Sequence, residues 1–290
     1  MQYGIYYAYW AKEWGGDYAR YAQKVAGLGF DILEISCAAL AETAPAQIAG
    51  LRAACEAHGV RLTAGYGPAP GENIASPDPD VAKNALAFWE RTFPVLQELG
   101  VAVVGGGLYS YWPVDYARPF DRRADYERSV AGMKKLADLA ARFGLTLCME
   151  TLNRFEGYLL NTAAEAVQYV RDVGRDNVKA MLDTFHMNIE EDSLEDAILA
   201  AGPALGHFHV GECNRRPPRG GSRLDWGGIG RALRKAGYAG AVVMEPFVLA
   251  GGGVGRDIRV WRDIAEDGSE AALDRAARDS VAFLRRALEG

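Results

Sequence analysis

Short apolar runs alternate with longer segments of helical spacing from one end of the chain to the other. Runs rich in β-branched, aromatic or small apolar residues predict strands at Tyr3–Tyr9, Ile32–Cys37, Arg61–Gly65, Val101–Val104, Leu145–Glu150, Val178–Asp183, Leu205–Val210 and Ala241–Glu245. Between them the pattern predicts helices over Asp17–Leu28, Pro45–His58, Asp80–Leu99, Arg123–Phe143, Thr162–Val173, Ser193–Ala200, Asp225–Ala236 and Ala271–Leu288. Tyr18, Tyr21, Val25 and Leu28 share one helical face, and Gly29, Gly59, Gly100, Gly144 and Gly237 stand where helices should stop. Gly105–Gly107 reads as a break after the fourth strand, and Gly251–Gly255 as a loop. Eight strands alternating with eight helices predict one (β/α)8 TIM barrel over residues 1–290, with no linker to mark a second domain. An open doubly wound sheet is the alternative, but it does not explain why polar residues collect at strand ends.

That clustering is the candidate chemistry. The apolar run Leu145–Met149 ends on Glu150, and the following runs end on Asp183, His209 and Glu245. A carboxylate at the end of a buried strand is costly unless it is paired. One such residue is most often a helix cap or a surface charge, but four closing four consecutive strands point to a shared centre. Strand alternation puts Thr146, Cys148 and Glu150 on one face, Leu205, His207 and His209 on one face, and Ala241, Val243 and Glu245 on one face. His207 is expected to face the core as a hydrogen-bonded residue, not a ligand. Carboxylates with one imidazole suit Mn2+, Mg2+, Co2+ or Zn2+ and lean toward the harder ions.

Composition narrows the partners. The net charge of -6 leaves no basic surface for nucleic acid, which argues against a metal-dependent nuclease. No apolar run reaches membrane-spanning length, and the aromatic start MQYGIYYAYW lacks the basic region of a signal peptide. The four cysteines form no CxxC pair; Cys37 and Cys148 read as buried thiols, which suits a cytoplasmic protein. The glycine runs lack the strand–GxGxxG–helix context of a nucleotide site.

The runs GIYYAYW, LGFDILEIS, METLNRFE, LNTAAEA, MLDTFHMNIEED, GHFHVGECNRR and VVMEPF together resemble the ketose 3-epimerases, a family of xylose isomerase-like barrels, over nearly the whole chain. The resemblance implies that Glu150, Asp183, His209 and Glu245 hold a divalent metal, Mn2+ first with Co2+ or Mg2+ as alternatives. It implies that Glu150 and Glu245 are the acid–base pair. It assigns Glu156, His186 and Arg215 to the oxygens of a small ketose, and Tyr6, Trp112 and Phe247 to the walls of the sugar pocket. It implies a homodimer or homotetramer and interconversion of D-fructose with D-psicose, or of a related ketose pair. Epimerising a ketose at C3 requires removing the proton beside the carbonyl and returning one on the other face through an enediolate, which two carboxylates can do. Tyr66 and Tyr109 depart from the family pattern in loops expected to touch the far end of the sugar. Arg216–Leu224 is expected to form a flexible, basic lid edge. An aldose–ketose isomerase of the same barrel class is the alternative reaction. A non-catalytic sugar-binding protein is the remaining one, and it would not need two carboxylates at one metal.

Overall fold

The computed structural model describes residues 1–290 and is a closed barrel of eight parallel strands in the order β1 to β8. The strands are β1 (Gln2–Tyr6), β2 (Ile32–Ser36), β3 (Arg61–Gly65), β4 (Val103–Gly106), β5 (Thr146–Glu150), β6 (Val178–Asp183), β7 (Leu205–Val210) and β8 (Ala241–Met244). Closure is made by β1 and β8, with Gly4 opposite Val243. The outer layer holds α1 (Tyr18–Leu28), α2 (Pro45–His58), α3 (Pro79–Glu98), α4 (Arg122–Ala141), α5 (Ala163–Val173), α6 (Thr184–Glu190), α7 (Leu194–Ala201), α8 (Trp226–Lys235), α9 (Gly252–Asp257) and α10 (Glu270–Glu289).

Each predicted helix is present within a residue or two, for the local reasons the sequence carries. Asp17 caps α1 by accepting from the Arg20 N–H, and Gly29 ends the helix in the left-handed conformation. Thr162 and Glu165 form a reciprocal capping box on α5. Val25 and Leu28 on α1, like Leu136 and Ala140 on α4, are buried against the barrel, and one apolar cluster runs through the whole molecule.

Four elements differ from the sequence reading. The strand predicted over Tyr3–Tyr9 ends at Tyr6, and Tyr7–Trp10 turns into a short 3-10 helix. Gly105 and Gly106 continue β4 and do not break it. A Cβ on Gly105 would lie 2.5 Å from Met181 Sδ, so this strand has room for no side chain where it faces the barrel interior. The Gly251–Gly255 stretch is mostly helical, as the short α9. Its chain is pinned by the Glu13 carboxylate accepting from the Gly253 N–H and by the Lys12 carbonyl accepting from the Val254 N–H, which outweighs weak helix propensity. α6 is also additional: Asp183, the last residue of β6, caps it directly by accepting from the Phe185 N–H.

Candidate active site

The ends of β5 to β8 converge at the mouth of the barrel. Glu150 is the last residue of β5, Asp183 the last of β6, and His209 the penultimate residue of β7. Glu245 lies one residue beyond β8 and is held there by its N–H donating to the Val210 carbonyl at 3.1 Å. Asp183 faces His209 across the β6–β7 pair. The structure brings one ligand atom from each of Glu150, Asp183, His209 and Glu245 within 4.8 Å of one another.

The donor set fits a divalent cation. Glu150 Oε1 and His209 Nδ1 are buried without a hydrogen-bond partner, and they lie 3.9 Å apart. His209 Nδ1 also lies 3.8 Å from Glu245 Oε2. Asp183 spends Oδ1 on the α6 cap and leaves Oδ2 toward the cluster. Burial and the neighbouring charges of Glu245 and Asp183 push the Glu150 carboxyl well above its ordinary range. That strain is the mark of too many acids in one place, and a bound cation would relieve it.

Arg215 and His186 face the same cluster. The buried guanidinium donates to Glu245 Oε2 at 2.9 Å and reaches Asp183 Oδ2 and Glu156 Oε1 at 3.4 Å. It lies over the Phe185 ring, 3.8 Å from the centroid. The Arg215 backbone is left-handed at φ 64°, in a turn closed by hydrogen bonds between Glu212 and both Arg215 and Arg216. An arginine kept in that conformation is locally strained, and the tight turn aims its side chain inward.

The two histidines present opposite faces. His186 Nδ1 accepts from the Asn153 backbone N–H at 3.1 Å and lies 2.8 Å from Asn153 Nδ2. The Asn153 amide orientation follows from its Oδ1 accepting from the Phe155 N–H. His186 therefore carries its proton on Nε2, the atom that points toward Glu150 and Asp183. Burial, with Arg215 adding to it, lowers the His186 pKa, so the ring enters the site as a neutral N–H donor. Burial alone would raise the Glu156 carboxyl, but the Arg215 charge and hydrogen bonds from Asn153 and Arg215 hold it below its ordinary range and keep Glu156 ionised.

The surrounding wall is aromatic. Tyr6, Trp112 and Phe247 line the cavity together with Trp14, Tyr66, Leu152, Met181 and Ile258. Phe247 packs edge-on against Tyr6 and Trp14, and Trp14 packs edge-on against Trp112. Trp14 escaped the sequence reading; its only signal was a large aromatic in the loop after a barrel strand. Glu34 also escaped it. This carboxylate lies inside β2, 1% exposed, and contacts both His207 and His209. A lone Glu in the apolar run ILEIS was the available signal. His207 is fully buried and hydrogen-bonded, as expected of a core residue.

Two expectations need correction. Tyr66 does line the cavity, but Tyr109 does not reach it: Tyr109 is 1% exposed and its hydroxyl donates to the Glu150 carbonyl at 2.8 Å. It braces the backbone behind Glu150. The Arg216–Leu224 segment is tied down by one buried acid, Glu212, which accepts from the Arg219 N–H, Ser222 Oγ and Trp226 Nε1.

Comparison with known proteins agrees with this geometry. Residues 22–287 match the family model described as xylose isomerase-like TIM barrel. The chain is 52% identical to the D-psicose 3-epimerase of Ruminiclostridium cellulolyticum, covering 100% of this chain and 98% of that protein. It is 51% identical to the D-psicose 3-epimerase of Agrobacterium fabrum over the full length of both. A crystal structure of a D-psicose 3-epimerase in the presence of D-fructose superposes with a TM-score of 0.98 at 51% identity, covering all of both chains.

Proposed function

From the premise that this chain belongs to the xylose isomerase-like TIM barrels and, within them, to the ketose 3-epimerases, we propose that it interconverts D-fructose and D-psicose at C3 with Glu150 and Glu245 as the proton-transfer pair. The observation that carries this reading is the single cluster of Glu150, Asp183, His209 and Glu245 at the barrel mouth, flanked by the donors Arg215 and His186. A divalent cation held by those four residues, Mn2+ first, would supply Lewis-acid polarisation of the ketose carbonyl.

The chain's own groups account for the rest. Glu150 and Glu245 approach from different walls, β5 and the end of β8, as two carboxylates must if one removes the C3 proton and the other returns it on the opposite face. His186 Nε2–H and the Arg215 guanidinium stabilise the oxygen charge that develops in the enediolate. Glu156, held by Asn153 and Arg215, orients a sugar hydroxyl. Tyr6, Trp112 and Phe247 offer apolar faces to the sugar carbons and exclude water from the carbanion.

No helix is long and apolar enough to cross a membrane. A cytoplasmic location and a homodimer or homotetramer belong to the same proposal. The exposed aromatics Phe120, Phe155 and Trp261 support the assembly.

The test is one reaction in heavy water: D-fructose, the protein and Mn2+. We expect D-psicose carrying deuterium at C3, and no turnover by Glu150→Gln or Glu245→Gln variants that remain folded. An aldose product without deuterium would replace epimerisation by isomerisation, and activity in either variant would remove the two-base assignment.

A further inference from the structure

Beneath the cluster at the barrel mouth lies a second polar layer that the reaction does not use directly. Glu34 points into the barrel from β2, beside Tyr6 on β1 and Thr63 on β3 in the strand register. Its Oε1 lies 2.6 Å from His209 Nε2. Its Oε2 accepts from Thr63 Oγ1 at 2.7 Å and lies 2.7 Å from His207 Nε2. All of these groups are buried, and none faces solvent.

We propose that Glu34 is a positioning residue that fixes the tautomer of His209 and so turns its Nδ1 lone pair toward Glu150 and Glu245. This rests on the reading of His209 as a metal ligand. An ionised carboxylate accepts hydrogen bonds and donates none. Thr63 and the two imidazoles therefore all donate to Glu34, which places the proton of His209 on Nε2. The other ring nitrogen, Nδ1, is then the atom left to offer a lone pair to a cation, and it is the buried, unpartnered atom that faces the carboxylate cluster. Without Glu34 a protonated Nε2 would be a buried donor with no acceptor, and the ring would gain by moving its proton to Nδ1. His209 would then present an N–H where the site needs a lone pair. Thr63 and His207 act one step further back: they occupy Oε2 and leave Oε1 to His209 alone. A carboxylate behind a metal-binding imidazole sets its orientation and basicity in this way.

The contrast with His186 shows that the arrangement is selective. Both rings carry their proton on Nε2, but Asn153 turns the Nε2–H of His186 toward the cluster, whereas Glu34 draws the Nε2–H of His209 away from it.

Two measurements test this without reading activity. The chain has four histidines, so long-range 1H–15N correlations of the wild type saturated with diamagnetic Mg2+ can be assigned. We expect His209 with a protonated Nε2 and an unprotonated Nδ1. The second measurement is Mn2+ affinity by calorimetry for the wild type and for Glu34→Leu. The apolar side chain leaves the His209 Nε2–H without an acceptor, so its proton should move to Nδ1 and affinity should fall about ten- to a hundredfold. A folded Glu34→Leu protein with wild-type Mn2+ affinity, or His209 protonated on Nδ1 in the Mg2+-saturated wild type, would overturn the proposal. The spectra alone decide it if Glu34→Leu does not fold. Failure of the wild type to bind Mn2+ would instead overturn the ligand assignment on which it rests, and the proposal with it.

Discussion

Arg215→Lys is the sharpest single test of how the site is built. The substitution keeps the positive charge among Glu150, Glu156, Asp183 and Glu245, so the fold should survive. It removes the planar fork that donates to Glu245 at 2.9 Å and the face that lies over Phe185 at 3.8 Å. A charge-assisted hydrogen bond contributes about 1.5–3 kcal/mol. A buried cation–π contact adds on the order of 1 kcal/mol. If both act on the transition state, the loss is roughly 2.5–4 kcal/mol, or about two to three orders of magnitude in kcat/KM at 1.36 kcal/mol per decade. The assay is steady-state conversion of D-fructose with metal in excess, with the melting temperature measured beside it. The loss should fall mainly on kcat, because the guanidinium is argued to meet charge that appears only as the proton leaves. A folded Arg215→Lys enzyme within about threefold of wild-type kcat/KM would refute the reasoning, since the fork and the stacking would then be packing alone. A rise confined to KM would move Arg215 from charge stabilisation to substrate binding.

Two further outcomes follow from the same geometry. Chelation of the divalent metal should lower the melting temperature as well as stop turnover: occupancy at a hundred times Kd contributes about 2.7 kcal/mol, or roughly 4–5 °C for a chain of this size; a melting temperature indifferent to chelator and to added Mn2+ would count against the four-residue site. Gly106→Ala should cost about 3 kcal/mol or more in urea unfolding, because φ is +116° and the new Cβ would stand 2.3 Å from the Tyr66 carbonyl, backbone against backbone; Gly105→Ala, which meets the flexible end of Met181, should cost less, and the reverse order would show that the β3–β4 approach is softer than it looks.

What the sequence made legible was what each segment encodes locally. A strand-forming run followed by a helix repeats eight times, with a glycine marking the stop of five of those helices, and right-handed crossovers between parallel strands leave little choice but a barrel. The ligand cluster was legible for a related reason. Barrel geometry gathers strand ends, so Glu150, Asp183, His209 and Glu245 could be assembled without knowing any contact distance. The short α6 and α9 were not legible, because their starts are set by an aspartate already counted as a strand end and by a distant loop at Lys12 and Glu13.

The same distinction explains why the supporting residues stayed hidden. Glu34 meets Thr63 29 residues away, and His209 175 residues away, across the barrel. Nothing within ILEIS says which face of the strand its glutamate takes. Tyr109 is parallel: a tyrosine after a barrel strand can turn into the cavity or behind it, and only the Glu150 carbonyl, 41 residues on, decides. Ser129 Oγ then donates to the Tyr109 carbonyl and contacts the Tyr169 hydroxyl, so the brace behind Glu150 runs into α4 and α5. The groups that would touch metal and sugar are thus written in strand ends, whereas the groups that aim them are written in pairs far apart in sequence. It follows that Tyr66, on the cavity wall, is a candidate for the choice among ketoses, and that Tyr109 should act on all of them alike through the position of Glu150.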